Sequence, residues 1–308
     1  MKNIKKNQHI SCRQCGSNDL SCRGAITRAD TFCGVTLPAE WNSGSLYDCR
    51  SCRLCFRHPI RKSSEYLDLY QAAPESTYQS VSLRHDQRLV QDAIARHRSG
   101  GTILDVGCFD GALLASLAPT FKKFGIEASK AAQKICQESD IEIVAGSAES
   151  LLSSDRRYDI ICAVDVIEHL IQPHTFIKDI VARLNPNGIL ILSTGNASNS
   201  LWKLFGGRYW YCAFPEHISF ISPEWIDQVI KKYPINLVEL MYFSHKNINI
   251  SPMSAHIRFI GRLIRGYAES ISSQIMGTSA LNPKYKLGFP GVVNDHMLVV
   301  LQLDGPQD

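Results

Sequence analysis

Two pairs of closely spaced cysteines near the N-terminus have the spacing of metal ligands. Cys12 and Cys15 form one C-x2-C pair, and Cys49 and Cys52 form a second. Each pair can direct two thiolates at one tetrahedral ion, so the four together would fill the coordination shell of a structural zinc. The same spacing also joins Cys52 to Cys55, so spacing alone leaves open whether Cys55 replaces Cys49.

The distribution of the cysteines favours a metal site over a disulfide framework. Seven of the 11 cysteines lie within the first 55 residues. The opening stretch MKNIKKNQHISC is charged but has no apolar run typical of a secretion signal, and disulfides are rare in proteins that are not exported. We therefore expect a structural zinc. An iron–sulfur or redox centre and a set of unliganded thiols are the alternatives.

A second set of residues follows the apolar run at 103–106. Gly107 lets the backbone approach a ligand without a Cβ, and Gly111 begins a helix-like segment. Glu127 follows about 20 residues later, where a carboxylate can accept both hydroxyls of a ribose. The turn lacks the G-x-G-x-x-G of dinucleotide sites, and no G-x-x-x-x-G-K-[ST] phosphate loop is present. The pattern favours a nucleoside ligand without a triphosphate, such as S-adenosylmethionine.

Polar residues also follow the next two predicted strands. GSAES at 146–150 suits the edge of an adenine, and DVIEHL at 165–170 comes after the strand that follows. The carboxyl ends of parallel strands meet at one edge of a sheet, so we expect these segments to line one cleft with Gly107 and Glu127. A tight strand–helix turn without a ligand is the alternative explanation of the glycines.

A parallel sheet is needed to bring these segments together. From Gly101 onward, continuous apolar strands alternate with helix-like segments, which predicts a doubly wound α/β fold. The predicted strands are 102–106, 122–127, 141–146, 158–164, 188–194, 235–243 and 296–303. The predicted helices are 110–118, 129–138 and 168–184, together with a segment that becomes helical after Val81. Residues 1 to about 60 have a Cys-rich, loop-like pattern.

The composition predicts a folded protein with a basic N-terminal part. Hydrophobic residues make up 44% of the 308, enough for a sizeable core. The first 65 residues carry 11 Lys/Arg against 5 Asp/Glu, a net +6, and the remainder carries a net −2. No window reaches the roughly 18 apolar residues of a membrane span, so we expect a cytoplasmic protein. A basic, amphipathic stretch at 255–273 predicts a helix that rests on the inner membrane face or a lipid-linked substrate, or packs on the sheet.

Five blocks of the chain resemble, in order and spacing, the class I S-adenosylmethionine-dependent methyltransferases. The blocks are ILDVGCFDGALL, GIEAS, GSAESL, YDIICAVDVIEHLIQPHTFIKDIVARLNPNGILILSTGN and PEHISFISPEWI, within about residues 84–243. The resemblance is strongest to the branch with the ubiquinone-type O-methyltransferases and many surface-polysaccharide methyltransferases. It implies a Rossmann-like α/β fold, with a seven-stranded sheet, helices on both faces and a reversed last hairpin.

The resemblance also implies which residues bind S-adenosylmethionine. From the methionine side through ribose and adenine to the sulfonium, they are Asp105, Gly107, Cys108, Gly111, Glu127, Ala128, Ala148, Glu149, Asp165, Val166 and Ile167. The chain departs from the family at two places. Phe109 stands where the family has its middle glycine, and STGN at 193–196 replaces Thr-Pro-Asn.

The N-terminal cysteines resemble the zinc ribbon of some polysaccharide-cluster and sugar methyltransferases. In that ribbon the position of Cys55 is apolar, so the resemblance implies a zinc site at Cys12, Cys15, Cys49 and Cys52. We predict a zinc-ribbon module at 1–62, a helical linker at 63–100 and a methyltransferase domain at 101–308. Because the four thiolates leave no open coordination position, the metal would fold the module and activate no water.

Methyl transfer requires an aligned acceptor and, for a hydroxyl, a base that removes its proton. Histidine suits this role at neutral pH. The resemblance places His217 and His169 at the border of the active site, and we expect His217 to be the base and His169 a cleft residue. The alternative is that each histidine fixes a loop. Glu168 and Glu216 either orient these histidines or are ordinary loop and helix-end charges.

Aromatic residues are dense at 201–220, between the fifth predicted strand and the next helix, where a lid over the acceptor belongs. These rings either stack on a sugar or quinone or form a packed loop. The tyrosines Tyr66, Tyr70 and Tyr78 are further candidates for closing the cleft. The Asn-Pro-Pro-Tyr motif of base N-methylation is absent after the fourth strand.

These observations predict an S-adenosylmethionine-dependent methyltransferase that acts on a hydroxyl or carbon of a small-molecule acceptor. The family association and the aromatic run favour a sugar, a nucleotide-sugar or a surface-glycan intermediate of polysaccharide biosynthesis. The first alternative is an RNA methyltransferase whose basic zinc module binds phosphates, although we do not expect a nucleic-acid partner. The others are a non-catalytic cofactor-binding scaffold and an enzyme for a hydrophobic, quinone-like acceptor.

Overall fold

The computed structural model describes residues 10–27, 31–32, 35–37, 41, 44–72, 82–153, 155–244 and 294–305. The amphipathic stretch predicted at 255–273 and Tyr78 lie outside these residues. Within the described ranges, no helix is long and apolar enough to cross a membrane.

The N-terminal part forms a small antiparallel sheet, and the prediction of a loop-like module was wrong in this respect. Its elements are β1 (Leu20–Ala25), β2 (Thr31–Phe32), β3 (Val35–Thr36), β4 (Ser45–Cys49) and β5 (Cys55–His58), followed by the helices α1 (Ser63–Ala72) and α2 (His85–His97). Strand β4 pairs with both β1 and β5, while β2 and β3 form a separate hairpin. Strands this short carry too few alternating residues for the pattern to stand out among glycines and cysteines.

The rest of the chain confirms the predicted α/β fold with a seven-stranded sheet. Its strands, with the short β11 that lies outside this sheet, are β6 (Gly101–Val106), β7 (Phe121–Ile126), β8 (Glu142–Ala145), β9 (Tyr158–Val164), β10 (Leu184–Gly195), β11 (Ser219–Phe220), β12 (Ile235–Phe243) and β13 (His296–Leu303). The order across the sheet is β12-β13-β10-β9-β6-β7-β8. Only β13 runs antiparallel to its neighbours, which is the reversed last hairpin.

Five helices connect these strands within the described residues. They are α3 (Ala112–Ala115), α4 (Lys130–Gln137), α5 (Pro173–Val181), α6 (Ser200–Phe205) and α7 (Pro223–Ile230). The predicted helix 168–184 begins only at Pro173, because proline suits the first helical turn and disfavours helical backbone in the residue before it. Residues Ile167–His169 form a 3-10 turn instead. This turn holds the segment after β9 at the carboxyl edge of the sheet.

The N-terminal sheet shares a hydrophobic core with the large sheet. The cluster on one face of the large sheet contains Leu104 of β6, Trp225 of α7, Phe56 of β5, and Cys12, which precedes β1. Helix α2 covers the opposite face with a second cluster. Strand β11 extends the N-terminal sheet by pairing antiparallel with β5. The two parts are therefore joined by both packing and strand pairing.

Candidate active site

A cavity of about 730 Å³ opens at the carboxyl ends of the parallel strands. Asp105 and Gly107 line it at the end of β6, Glu127 lines it after β7, Ala148 after β8 and Asp165 after β9. Doubly wound sheets bind ligands at this edge, because the diverging loops leave a crevice there. The structure thus brings together residues from all four segments that the sequence singled out.

The turn after β6 has a backbone shaped for close approach. Gly107 has a φ of 73°, and a Cβ added there would lie 2.7 Å from the side chain of Val166. Phe109 has a φ of 55°, so the family's glycine position keeps a left-handed backbone despite its side chain. The Phe109 N–H donates to Oε2 of Glu127 at 2.9 Å, and the Ser129 N–H donates to Oε1 at 2.8 Å. These two bonds fix the Glu127 carboxylate beside the turn.

Two aspartates bring buried acceptor oxygens to the cavity. Among the described residues, Oδ1 of Asp105 and Oδ1 of Asp165 have no hydrogen-bond partner. Burial, reinforced by the charge of Glu127, raises the pKa of Asp105 to about 8. Burial and the charge of Asp86 raise the pKa of Asp165 well above its ordinary value. Buried carboxyl oxygens without partners suit a ligand that brings positive charge, because the charge would favour their ionised form.

Arg84 is a site residue that the sequence analysis missed. It lies directly before α2 and lines the cavity. Its Nη2 donates to Asp165 at 3.0 Å and to Asp86 at 2.8 Å, so it ties the start of α2 to the end of β9. Arg84 belongs to no sequence motif. Only its position, at the start of the region that resembles the methyltransferases, could have drawn attention to it.

Among the described residues that the resemblance implied as ligands, Gly111 and Ile167 do not border the cavity. A Cβ on Gly111 would lie 2.5 Å from Ile141, so this glycine allows close packing within the core. Ile167 is fully buried in the hydrophobic core. Glu149 lies in the 3-10 turn Ala148–Ser153. The remaining implied ligands, Cys108, Ala128 and Val166, all line the cavity.

His217 projects into the cavity with one ring nitrogen occupied. Its Nδ1 lies 2.9 Å from the carbonyl oxygen of Tyr211, which can only accept, so Nδ1 carries the proton. In the neutral ring Nε2 is then the basic nitrogen. The side chain is 7% exposed, and burial lowers the pKa of His217 well below 6.5. The ring is therefore neutral at neutral pH and able to accept a proton.

His169 lies beside His217, with 5.0 Å between the ring centroids. Its Nδ1 is 3.0 Å from the hydroxyl of Tyr70 and 3.3 Å from the carbonyl oxygen of Glu216. Tyr70 belongs to α1 and lines the cavity, so the helix that follows the N-terminal sheet borders the cavity beside His169. The suggestion that Tyr70 closes the cleft agrees with this contact.

The two glutamates beside the histidines have different surroundings. Glu168 is almost fully buried, and its carboxylate accepts hydrogen bonds from the hydroxyls of Tyr211 and Thr194. Glu216 lines the cavity, its Oε2 is buried without a partner among the described residues, and burial raises its pKa. Ligand atoms of Glu168, His169 and His217 lie within 4.8 Å of one another, but both Glu168 oxygens are already engaged. Glu168 thus orients Tyr211, the residue that fixes the His217 ring.

The aromatic run packs into the core and also forms part of the cavity wall. Trp202, Tyr209 and Phe220 are buried together in a third hydrophobic cluster. The wall of the cavity is formed by Trp210, Tyr211 and Phe214, and opposite residues come from the N-terminal part, namely Phe32, Tyr66, Leu67 and Tyr70. Trp210 and Tyr211 also belong to the third hydrophobic cluster, so the same rings pack in the core and border the cavity.

The four cysteines of the two C-x2-C pairs come together in space. The Sγ atoms of Cys12, Cys15, Cys49 and Cys52 lie within 4.8 Å of one another. The separations are 3.6 Å between Cys12 and Cys52 and 3.5 Å between Cys15 and Cys49. Cys55 points elsewhere, because it lies in β5 and packs into the aromatic cluster. Four converging thiols of this kind fit a tetrahedral zinc ion.

Comparisons with known proteins agree with this architecture. A family model described as a methyltransferase domain matches residues 80–240. The mitochondrial ubiquinone biosynthesis O-methyltransferase of Arabidopsis thaliana is 28% identical over 171 residues, 50% of this chain and 52% of that protein. The ubiquinone biosynthesis O-methyltransferase of Rickettsia typhi is 32% identical over 151 residues, 45% of this chain and 61% of that protein. The chain thus spans between 52% and 61% of the length of these two relatives.

Solved methyltransferase structures are also similar. The N-methyltransferase NodS from Bradyrhizobium japonicum WM9, in complex with S-adenosyl-l-homocysteine, is 16% identical with a TM-score of 0.45. The match covers 79% of this chain and 98% of that one.

The strand order of the large sheet, with its reversed last hairpin, is that of the class I S-adenosylmethionine-dependent methyltransferases. The methyltransferase-domain model covers more than half of the 308 residues, and the chain belongs to that family.

Proposed function

We propose that this enzyme methylates a hydroxyl or carbon of a small-molecule acceptor, such as a sugar, a nucleotide-sugar or a surface-glycan intermediate. The observation that carries the proposal is the buried His217, which lines the same cavity as the turn after β6 and whose Nδ1 lies 2.9 Å from the carbonyl oxygen of Tyr211. A base in this position suits an acceptor that must lose a proton during methyl transfer.

The strand-end residues would hold S-adenosylmethionine. The unpartnered Oδ1 atoms of Asp105 and Asp165 offer charge-assisted bonds to its cationic groups, and Glu127 would accept the ribose hydroxyls. Ala148 would border the adenine. When bound, this cofactor supplies an electrophilic methyl group. The fit rests on chemistry found in this cavity, since buried carboxyl oxygens need a charged partner.

His217 would take the proton of the acceptor at Nε2 and release it to solvent afterwards. The hydrogen bond from Nδ1–H to Tyr211 fixes the tautomer, and Glu168 fixes Tyr211 through its hydroxyl. His169 and Tyr70 would border the acceptor on the other side. The ring is thus oriented before the acceptor arrives, which lowers the entropy lost on the way to the transition state.

The acceptor half of the cavity favours a neutral or cationic group over an anionic one. Glu216 brings an unpartnered carboxylate oxygen there, which would accept a hydrogen bond from an acceptor hydroxyl or amine. Aromatic walls from Trp210 and Phe214 would contact the apolar face of a sugar ring. The same walls also suit a phenolic ring. This second candidate is supported by the ubiquinone biosynthesis O-methyltransferases among the relatives.

We further propose that Cys12, Cys15, Cys49 and Cys52 bind one Zn²⁺. The convergence of the four thiols supports this assignment, and the full ligand set gives the metal a folding role.

The test begins with calorimetric titration of the zinc-loaded protein with S-adenosylmethionine. Wild-type protein and His217→Ala are then incubated with the cofactor and a panel of free sugars, nucleotide-sugars and catechols, and S-adenosylhomocysteine is measured by mass spectrometry. We expect binding by both proteins and turnover by the wild type alone, with a sugar or nucleotide-sugar. Turnover only with a catechol would favour the phenolic candidate. Absence of cofactor binding would contradict the proposed site.

A further inference from the structure

Arg13 connects the Cys12–Cys15 turn to both loops of the candidate active site. Its Nε donates to the carbonyl oxygen of Ile171 at 2.8 Å, two residues beyond His169. Its Nη2 donates to the carbonyl oxygen of Ile218 at 2.5 Å, next to His217. The same Nη2 donates to Oγ of Ser219 at 2.7 Å, and the guanidinium lies over the ring of Phe56. A side chain from between two thiol ligands therefore bridges the loops that carry the two histidines.

Arg57 holds the same segment from β5. It is 4% exposed, and its Nε donates to the carbonyl oxygen of His217 at 3.1 Å. Its Nη2 donates to the carbonyl oxygens of Cys212 at 2.5 Å and Phe214 at 2.8 Å. Its backbone N–H donates to the carbonyl oxygen of Ile218 at 2.9 Å. Three carbonyls of the turn from 212 to 218, those of Cys212, Phe214 and His217, thus accept from one buried cation.

No other described side chain of the N-terminal sheet makes such a set of bonds to this turn, and the turn itself offers little regular structure. A short 3-10 turn at Gly206–Arg208 precedes it, a second at Trp210–Ala213 overlaps its start, and β11 is only two residues long. Guanidinium groups are well suited to this task, because each presents five donors in a fixed plane.

We propose that Arg13 and Arg57 are positioning residues that hold His217 in place, and that the metal bound by the four cysteines sets Arg13 and thereby controls this geometry. The inference deepens the proposed function and rests on its zinc site. Loss of the metal would release the turn between Cys12 and Cys15, and Arg13 would leave its carbonyl partners. The residues proposed for the cofactor lie at the carboxyl ends of β6, β7, β8 and β9, so cofactor binding would persist. The zinc module is then part of the acceptor-side machinery and not only a folding unit.

The test measures amide hydrogen exchange of the full chain by mass spectrometry, because this readout requires no acceptor. We compare the peptide covering 209–221 with one covering 103–111 in three proteins: the wild type, Arg13→Gln and Arg57→Gln. Zinc content and S-adenosylmethionine affinity are measured in parallel. The matched control is Arg50→Gln, since Arg50 is an exposed arginine of the same module whose Nη1 pairs with Asp19.

We expect Arg13→Gln to keep its zinc while amide exchange in 209–221 rises about tenfold or more. Exchange in 103–111 should be unchanged, and the Kd for S-adenosylmethionine should stay within about twofold of the wild-type value. Chelation of the metal from the wild type should give the same pattern, and so should Arg57→Gln. Arg13→Lys should restore part of the protection, because one ammonium can reach fewer of the carbonyls. Arg50→Gln should match the wild type.

Unchanged exchange in 209–221 after metal removal, or in both Arg13→Gln and Arg57→Gln, would overturn the proposal. If Arg13→Gln loses its zinc, its exchange reports the loss of both the arginine and the metal. Exchange in Arg57→Gln then tests whether the arginines hold 209–221, because Arg57 lies outside the turns that carry the four cysteines. A wild type that binds no S-adenosylmethionine would instead count against the proposed function, while the exchange result would still test the role of the arginines.

Discussion

Replacing Asp105 by asparagine should stabilise the ligand-free protein and weaken cofactor binding at the same time. Asp105 is buried at the end of β6, and one carboxyl oxygen has no partner among the described residues. Burial raises its pKa to about 8, so ionising it in the folded, ligand-free protein is unfavourable. Asparagine has nearly the same shape and remains neutral at every pH.

The size of the effect follows from the two pKa values. An unfolded aspartate has a pKa of about 3.9, and each tenfold difference in proton affinity is worth about 1.4 kcal/mol. Because the folded pKa is raised, the unfolded chain loses its proton first as the pH rises. Stability therefore falls through the window from about pH 4 to about pH 8 and is level above it. Between about pH 5 and pH 8 the wild type should lose about 4 kcal/mol that Asp105→Asn does not lose.

The assay is urea unfolding of both proteins across this pH range, with the exposed Asp92→Asn as a matched control. The difference between wild type and Asp105→Asn isolates this carboxyl, since all other groups titrate in both proteins. Calorimetry should show S-adenosylmethionine affinity reduced about 10-fold to 100-fold in Asp105→Asn, in line with loss of a charge-assisted bond. If the free energy of unfolding had the same pH dependence in both proteins, the conclusion that burial raises the pKa of Asp105 would be refuted.

Three further predictions follow from the site. Glu127→Ala should weaken S-adenosylmethionine binding about 10-fold to 100-fold, because it removes an acceptor for the ribose and frees the turn after β6; unchanged affinity in calorimetry would contradict this. Cys12→Ser should lose zinc, whereas Cys55→Ser should keep it, because Cys55 points into the aromatic cluster; metal analysis of the purified variants distinguishes the two. Since burial lowers the pKa of His217 well below 6.5, kcat should stay level as the pH falls through about 6.5, and His217→Ala should remove this turnover. A kcat that declines with a midpoint near 6.5 would point to a different base.

The sequence predicted which strand-end residues line the cavity, because these residues directly follow apolar strands. Gly107 and Glu127 come directly after apolar strands, and strand order in a doubly wound sheet brings such positions to one edge. The fold class was predictable for the same reason, since alternating apolar strands and helices are local patterns. Gly111 and Ile167 belong to these patterns as well, but the structure places them in the packed core and not at the cavity.

The acceptor side was decided by tertiary structure. Arg13 and Ile218 are separated by 205 positions, and Tyr70 and His169 by 99, so no local pattern connects them. The cysteine register is a similar case, because the spacing of Cys52 allows either neighbour and only strand β5 turns Cys55 away from the other thiols. Spacing along the chain determines which residues can share a turn, a strand end or a metal. Contacts between distant segments form only when two sheets pack, and their packing decided which side chains meet His217.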